Sequence, residues 1–243
     1  MKGIVLAGGK GTRLRPFTYI IKKELLPVYD KPLIFYPLNT LKQSGIKEAI
    51  IVVDPKSVGA FTDIIGEGAE LGMNITYAIQ NESLGMAHAL LQTRHLVKEG
   101  EPVFVIGGDD VFSEDFSEMV RAFTSGATIV VTKVPDPQRS GVVYFSANKV
   151  ARIEEKPANP KSRWIQAGIY IYDAKVFDII DRLKPSSRGE YEIADVSNAY
   201  IKLGKMGYVK TKGRWFDAGT FDSLLEASIF MARQKKKNGA PTP

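Results

Sequence analysis

KGIVLAGGKGTRLRP, residues 2–16, sets a short apolar run directly ahead of three glycines, and Arg13 and Arg15 follow. An apolar run of this length that ends in glycine reads as a buried strand. Gly8, Gly9 and Gly11 carry no Cβ, so the turn can take positive φ and bring backbone N–H groups against an anion. The turn is not a Walker loop, which ends Gly-Lys-Ser/Thr, because here Lys10 precedes Gly11 and Thr12 follows it. The dinucleotide fingerprint G-x-G-x-x-G fails as well: started at Gly9, it meets Leu14 where its last glycine belongs. Alone, the loop reads equally well as a plain tight turn. Arg13 and Lys23 tilt the reading, since two whole positive charges beside the loop suit a polyanion such as a nucleoside triphosphate better than backbone amides do alone.

Outward from the loop, strands and helices alternate. IFYPLNTLKQSGI (34–46) has helical spacing and KEAIIVVD (47–54) is a second buried strand. SVGAFTDIIGEGAELG (57–72) reads as a helix, NITYAIQ (74–80) as a strand, and LGMAHALLQTRHLVKEG (84–100) as an amphipathic helix. PVFVIGGDD (102–110) is a strand that runs into two aspartates. This alternation predicts an open, mostly parallel sheet with helices on both faces. Beyond about residue 125 the strands crowd together: ATIVVTKV, GVVYFS, KVARIEEKP and IQAGIYIYD, followed by helical stretches at 174–183, 190–204 and 221–234. No low-complexity linker or internal repeat separates the two halves. The chain therefore reads as one domain, 1–243, with portions 1–125 and 126–230 and a flexible tail at 231–243.

Composition bounds the function classes. The 243 residues carry a net charge of +6 and no cysteine, which excludes disulfides, thiolate zinc sites and iron–sulfur clusters and fits a cytoplasmic location. A strand opening at Lys2 leaves no room for a signal peptide, and no apolar run approaches the ~18 residues of a membrane span. The basic stretch RQKKKNGAPTP (233–243) has no aromatic residues among its charges, so it reads as a solvated terminus and not a nucleic-acid arm. His88 and His95, seven residues apart on one expected helix, are two turns from each other and too distant to chelate. Lys10 and Lys22 read as surface bases, Asp110 as a turn residue, Trp215 as core, and Glu190, Glu192 and Asp195 as helix-start charges.

The stretch LAGGKGTRLRPFTYIIKKELLPVYDKPLIFYPL (6–38) resembles the signature of the sugar-1-phosphate nucleotidylyltransferases, and QNESLGMAHAL, GGDDVF, SGVVYF, RIEEKP, AGIYIYD, LKPSSRGEYEIADV and WFDAGTFDSLLEA continue the resemblance in order. The resemblance implies a three-layer, Rossmann-like α/β nucleotidyltransferase fold: a mostly parallel mixed sheet (1–125, nucleotide-binding portion) with a sugar-binding α+β portion (126–230). It implies attack of a sugar-1-phosphate oxygen on the α-phosphorus of a nucleoside triphosphate, with glucose-1-phosphate and dTTP as reactants. The attacking group is already an anion, so alignment and charge neutralisation suffice without a general base.

The same resemblance assigns residues. Leu6, Gly8, Gly9, Gly11, Thr12 and Arg13 would hold the nucleotide, with Gln80 and Gly85 at the base; Arg13, Lys23 and Lys156 would be catalytic; Gly141, Glu155, Lys156 and Gly168 would hold the sugar phosphate. Asp109, at the carboxyl end of a parallel strand, would bind nucleotide and, paired with Asp217, Mg²⁺. A homo-oligomer, a tetramer, is implied, with no nucleic-acid or membrane partner. Two positions depart from the pattern. Glu24 stands where thymidylyl enzymes commonly have glutamine, which opens UTP as the alternative to dTTP, and Gln166 replaces a more usual small apolar residue and bears on which hexose is taken.

Overall fold

The computed structural model describes residues 1–237. The strands are β1 (Lys2–Leu6), β2 (Pro27–Val28), β3 (Lys31–Pro32), β4 (Glu48–Val53), β5 (Asn74–Ile79), β6 (Val103–Gly107), β7 (Asp110–Phe112), β8 (Ala127–Lys133), β9 (Gly141–Ser146), β10 (Lys149–Glu155), β11 (Trp164–Tyr172), β12 (Met206–Lys210) and β13 (Trp215–Asp217). The helices are α1 (Phe35–Gln43), α2 (Val58–Ile65), α3 (Met86–Leu91), α4 (Ser117–Ala122), α5 (Val176–Asp181), α6 (Ile193–Lys202) and α7 (Phe221–Lys237).

A nine-stranded sheet runs β10–β9–β11–β6–β1–β4–β5, with β8 also pairing β11 and β12 pairing β8. β1, β4, β5 and β6 are mutually parallel, β12 is parallel to β8, and β11 runs antiparallel to β6, β8 and β9. The sheet is thus mixed and mostly parallel. Successive strand residues point to opposite faces. Ile4, Leu6, Ile50 and Val52 pack with Leu90, Phe177 and Tyr200 from α3, α5 and α6. Val5, Ala49, Ile51 and Val53 pack on the other side with Leu38, Phe61 and Met119 from α1, α2 and α4. Two cores around one sheet give the three layers, and this is why strands buried on both faces read as unbroken apolar runs.

Two expected helices and the expected tail come out differently. α2 stops at Ile65 because Gly66 and Gly68 take positive φ, and only a 3₁₀ turn at Ala69–Leu71 follows. α3 stops at Leu91, where the buried Thr93 hydroxyl donates to the Leu90 carbonyl at 2.7 Å and competes with the helix ladder. His95 falls on a separate 3₁₀ turn, Arg94–Leu96, so the two histidines do not share a helix. The region expected as a tail is helical through Lys237, and Lys235 Nζ meets Asp30 Oδ2 at 2.8 Å. Lysines in a last turn complement the helix dipole, which is why a basic stretch continues α7. Residues 238–243 of the expected tail lie outside the described residues.

Candidate active site

The site lies at the carboxyl edge of the parallel strands. Leu6 at the end of β1 pairs with Val52 of β4 on one side and Gly107 of β6 on the other, so the glycine turn emerges between the segments that carry Asp54 and Asp109. The turn is pinned from below. Thr18 Oγ1 donates to the Gly11 carbonyl at 2.7 Å, and Lys22 Nζ donates to the Gly9 carbonyl at 2.8 Å while pairing with Asp54 Oδ2 at 2.6 Å. Lys22 is therefore a brace for the loop and not the surface base its sequence context suggested. Gly11 sits at φ +60°, a conformation that favours glycine, and a Cβ on Gly8 would lie 2.3 Å from Gln80 Oε1 and displace that amide.

Asp217 reaches Asp109 through a three-residue ladder. β13 pairs antiparallel with β7, with Asp217 opposite Asp110, and the Ala218 N–H donates to the Asp109 carbonyl at 2.9 Å. A methyl group placed on Gly219 would be 2.7 Å from Asp217 Oδ1, 3.2 Å from Asp109 Oδ2 and 2.6 Å from Arg13 Nη2, which fixes all three groups around one point. Lys23 Nζ donates to Asp109 Oδ2 at 2.5 Å, and Arg13 Nη2 to Asp217 Oδ2 at 3.3 Å. Burial alone would depress the Lys23 ammonium, yet Asp109, Glu24 and Asp217 outweigh it and hold the pKa above its usual value. Burial works against the Asp109 carboxylate too, and Lys23 overcomes it, leaving its pKa low. Asp217 goes the other way: burial and the Asp109 charge push it up.

Asp110 is not a turn residue. It is buried in β7, accepts from Trp215 Nε1 at 2.7 Å, and is raised well above the usual carboxylate range by burial and by Asp109 and Asp217. Trp215 accordingly lines the cleft as well as packing. Glu24 departs furthest from expectation. Its side chain is fully buried, neither carboxylate oxygen has a hydrogen-bond partner, and the nearest cation, Lys23 Nζ, is 3.7 Å away. Burial pushes its carboxyl up to about 7. It sits under Gly108 and does not face the cleft, so it cannot read a base.

Gln80 is buried beside the glycine turn and donates from Nε2 to the Gly85 carbonyl at 3.2 Å and to His88 Nδ1 at 3.1 Å. His88 thus positions Gln80, a role the sequence spacing did not suggest. Gly85 takes φ +100°, and a Cβ there would lie 2.6 Å from the Tyr191 carbonyl. At the far end, Gly141 of β9 lies opposite Glu155 of β10, and Lys156 follows with φ +44°, its Nζ 3.6 Å from Glu155 Oε1. Burial raises the Glu155 carboxyl despite Lys156. Gly168, at φ +74°, lies in a bulge of β11 between Gln166 and Tyr170, where a Cβ would be 1.9 Å from Asp110 Oδ2. Arg188, not singled out from sequence, meets Glu192 Oε2 at 2.8 Å, Glu190 Oε2 at 3.0 Å and Glu155 Oε1 at 3.7 Å. Glu192 is the N-cap of α6 and Asp195 lies in its first turn, whereas Glu190 also borders the cleft.

The site is one cleft of about 830 Å³. Leu6, the glycine turn, Thr12, Arg13 and Lys23 line one end with Gln80 and Gly85; Gly141, Glu155, Lys156 and Gly168 line the other; Asp109 and Asp217 stand with the first group. Exposed Lys10 is at its mouth. Among the described residues no group of three or more His, Cys, Asp or Glu side chains is arranged to hold a metal ion. The Asp109–Asp217 pair offers two hard oxygen ligands, a set that suits Mg²⁺ when substrate phosphates and water complete its shell.

Residues 2–234 match a family described as nucleotidyl transferase. The chain is 42% identical to a glucose-1-phosphate thymidylyltransferase of Mycolicibacterium smegmatis, over 99% of this chain and 87% of that protein, and 40% identical to one of Neisseria meningitidis, over 95% and 82%. It superposes with a TM-score of 0.90 and 42% identity on a Bacillus anthracis crystal structure assigned as a glucose-1-phosphate thymidylyltransferase in complex with a sucrose, covering 95% of this chain and 94% of that one. A crystal structure of a UDP-glucose pyrophosphorylase with UDP-glucose shares the fold, with a TM-score of 0.84 at 24% identity over 96% and 98%.

Proposed function

The chain belongs to the nucleotidyl transferase family, and from that premise we propose that it transfers the nucleotidyl group of dTTP to glucose-1-phosphate, giving dTDP-glucose and pyrophosphate. The relatives named for that reaction, at 40–42% identity over most of both chains, support the reading. The observation that carries it is the convergence of Arg13, Lys23, Asp109 and Asp217 at one end of a cleft that has Glu155 and Lys156 at the other. That spacing of positive and negative groups suits two phosphorylated reactants lying end to end.

Each role follows from position. Backbone N–H groups of the glycine turn face the triphosphate, while Arg13 and Lys23 neutralise the charge that builds on the leaving pyrophosphate. Lys156 holds the phosphate of the sugar, which keeps the attacking oxygen in line, and Glu155 accepts from sugar hydroxyls. Gln80 presents its buried amide to the base, held in place by His88. Asp109 and Asp217 would hold Mg²⁺, which supplies further charge neutralisation on phosphate oxygens when bound. Glu24 supported UTP only if it faced the base. Its burial beneath Gly108 removes that support, so dTTP is preferred. The same reading takes the protein as a cytoplasmic homotetramer. No helix among the described residues is long and apolar enough to cross a membrane, and Ile20, Tyr19 and Leu225 present exposed apolar surface for subunit contact.

Pyrophosphate release from dTTP or UTP with a panel of hexose-1-phosphates tests the proposal. Release is expected to be fastest with dTTP and glucose-1-phosphate. No release with any pair sinks it, and a tenfold preference for UTP, about 1.4 kcal/mol, moves the assignment to a uridylyl enzyme.

A further inference from the structure

Gln166 is buried at the wall of the cleft and stands where β11 begins its bulge. Its amide is oriented by a relay. Ser197 Oγ on α6 donates to Gln166 Oε1 at 2.8 Å, so that hydroxyl has spent its single proton. Tyr172 Oη lies 3.3 Å from Ser197 Oγ and is left as the donor to it. Burial holds the Tyr172 phenol well above its usual pKa, so it keeps that proton. With Oε1 engaged on the α6 side, the NH₂ group of Gln166 is the end that faces the cleft. Among the described residues nothing accepts from it.

What it faces is defined by a missing side chain. A Cβ on Gly141 would lie 2.4 Å from Gln166 Nε2 and 3.2 Å from Glu155 Oε2. The sheet register builds this arrangement: Glu155 pairs with Gly141, and Ile165 pairs with the next residue, Val142. An amide donor and a carboxylate acceptor therefore stand close together beside the bare Cα of Gly141, on the wall of the cleft. A hydroxyl group is the simplest guest for such a pair, because it accepts one hydrogen bond and donates another.

We propose that Gln166 is a sugar-selecting residue whose Nε2 donates to a hexose hydroxyl that in turn donates to Glu155. This rests on the hexose-1-phosphate reading of the cleft and narrows it: the preferred sugar carries a hydroxyl at that ring position, and the analogue lacking it is rejected. Rejection follows because a donor that the bound sugar covers, left without an acceptor, is costly. An apolar side chain at position 166, as in Gln166→Val, offers neither penalty nor preference.

The experiment is a panel of monodeoxy glucose-1-phosphates, each lacking one hydroxyl, assayed for kcat/KM with wild-type protein and with Gln166→Val. Wild type is expected to lose about 10- to 100-fold against one analogue of the panel. Gln166→Val is expected to flatten that one difference while leaving the other analogues in their original order. Ser197→Ala, which frees the amide to flip, is expected to weaken the same discrimination and supplies a second variant if Gln166→Val does not fold. Discrimination that is unchanged in both variants overturns the proposal, as does a wild-type protein that treats every analogue alike. Calorimetric binding of the same panel runs in parallel. If no pair of substrates turns over, the assigned reaction fails, and the affinities alone then decide Gln166 by the same criteria.

Discussion

The two ends of the cleft are built by different means. At the end proposed to take the triphosphate the charged groups come from loops, 3₁₀ turns and a strand end, and charge pairs hold them to one another: Lys22 to Asp54, Lys23 to Asp109, Arg13 to Asp217. At the sugar end the groups stand on adjacent strands, and register with a bulge sets their places: Gly141 opposite Glu155, Gln166 and Gly168 along β11. The difference teaches where tolerance should lie. A phosphate end made of opposed charges is sensitive to changing one charge and forgiving of shape. A sugar end made of packed strands is sensitive to volume.

That contrast can be broken or sharpened by substitution. The largest effect is expected from Asp109→Asn, which keeps shape and removes charge. kcat should fall by about 10³-fold with an unchanged circular dichroism spectrum, the scale of losing one group that stabilises transition-state charge. Retained turnover would remove Asp109 from the machinery and break the contrast outright. Gly168→Ala adds one methyl group at φ +74° against Asp110 and should cost about 2–5 kcal/mol of stability, read as a lowered Tm. A neutral result would show that the sugar end yields to volume after all. Trp215→Phe keeps most of the ring and deletes the donor to buried Asp110, with about 1–3 kcal/mol expected from denaturant midpoints.

The smallest effect concerns the brace. Lys22→Met should raise the KM for dTTP about three- to tenfold, because the Gly9 carbonyl loses its donor. It also carries a pH signature. Burial would raise the Asp54 carboxyl, but the hydrogen bonds from Lys22 and Ser57 hold it below its usual value. Stability from this pair is therefore present above the unfolded pKa and is lost as pH falls through the lower folded pKa. Thermal melts on the acid side should show that loss in wild type and a shallower one in Lys22→Met.

Much of this architecture was readable from residue order. The buried parallel strands announce themselves as apolar runs because both faces are covered, and the glycine turn with its neighbouring cations points to phosphate. Less visible was anything that depends on two distant segments meeting. Asp217 and Asp109 are joined by a ladder of three residues, too short to leave a periodic trace, and only the family resemblance paired them. Lys22 looks like any exposed lysine until Asp54 is brought beneath the loop. Trp215 and Asp110 each read as structural because neither reveals the other. Glu24 misled for the opposite reason: the preceding residue, Lys23, lines the cleft, while the 3₁₀ turn at Lys23–Leu25 leaves the Glu24 side chain in the interior.

The β13–β7 pair has a consequence for durability. Asp217 enters the cleft on β13, which is held by a three-residue ladder to β7 and packs on α7, whereas Asp109 lies in the turn that follows β6 of the nine-stranded sheet. Peeling that flap away would disarm the protein while leaving the sheet intact, because cooperative units of a fold open at different free energies. On gradual heating, catalytic failure should precede the collapse of the far-ultraviolet signal, and amide exchange in residues 215–217 should run ahead of that in β1.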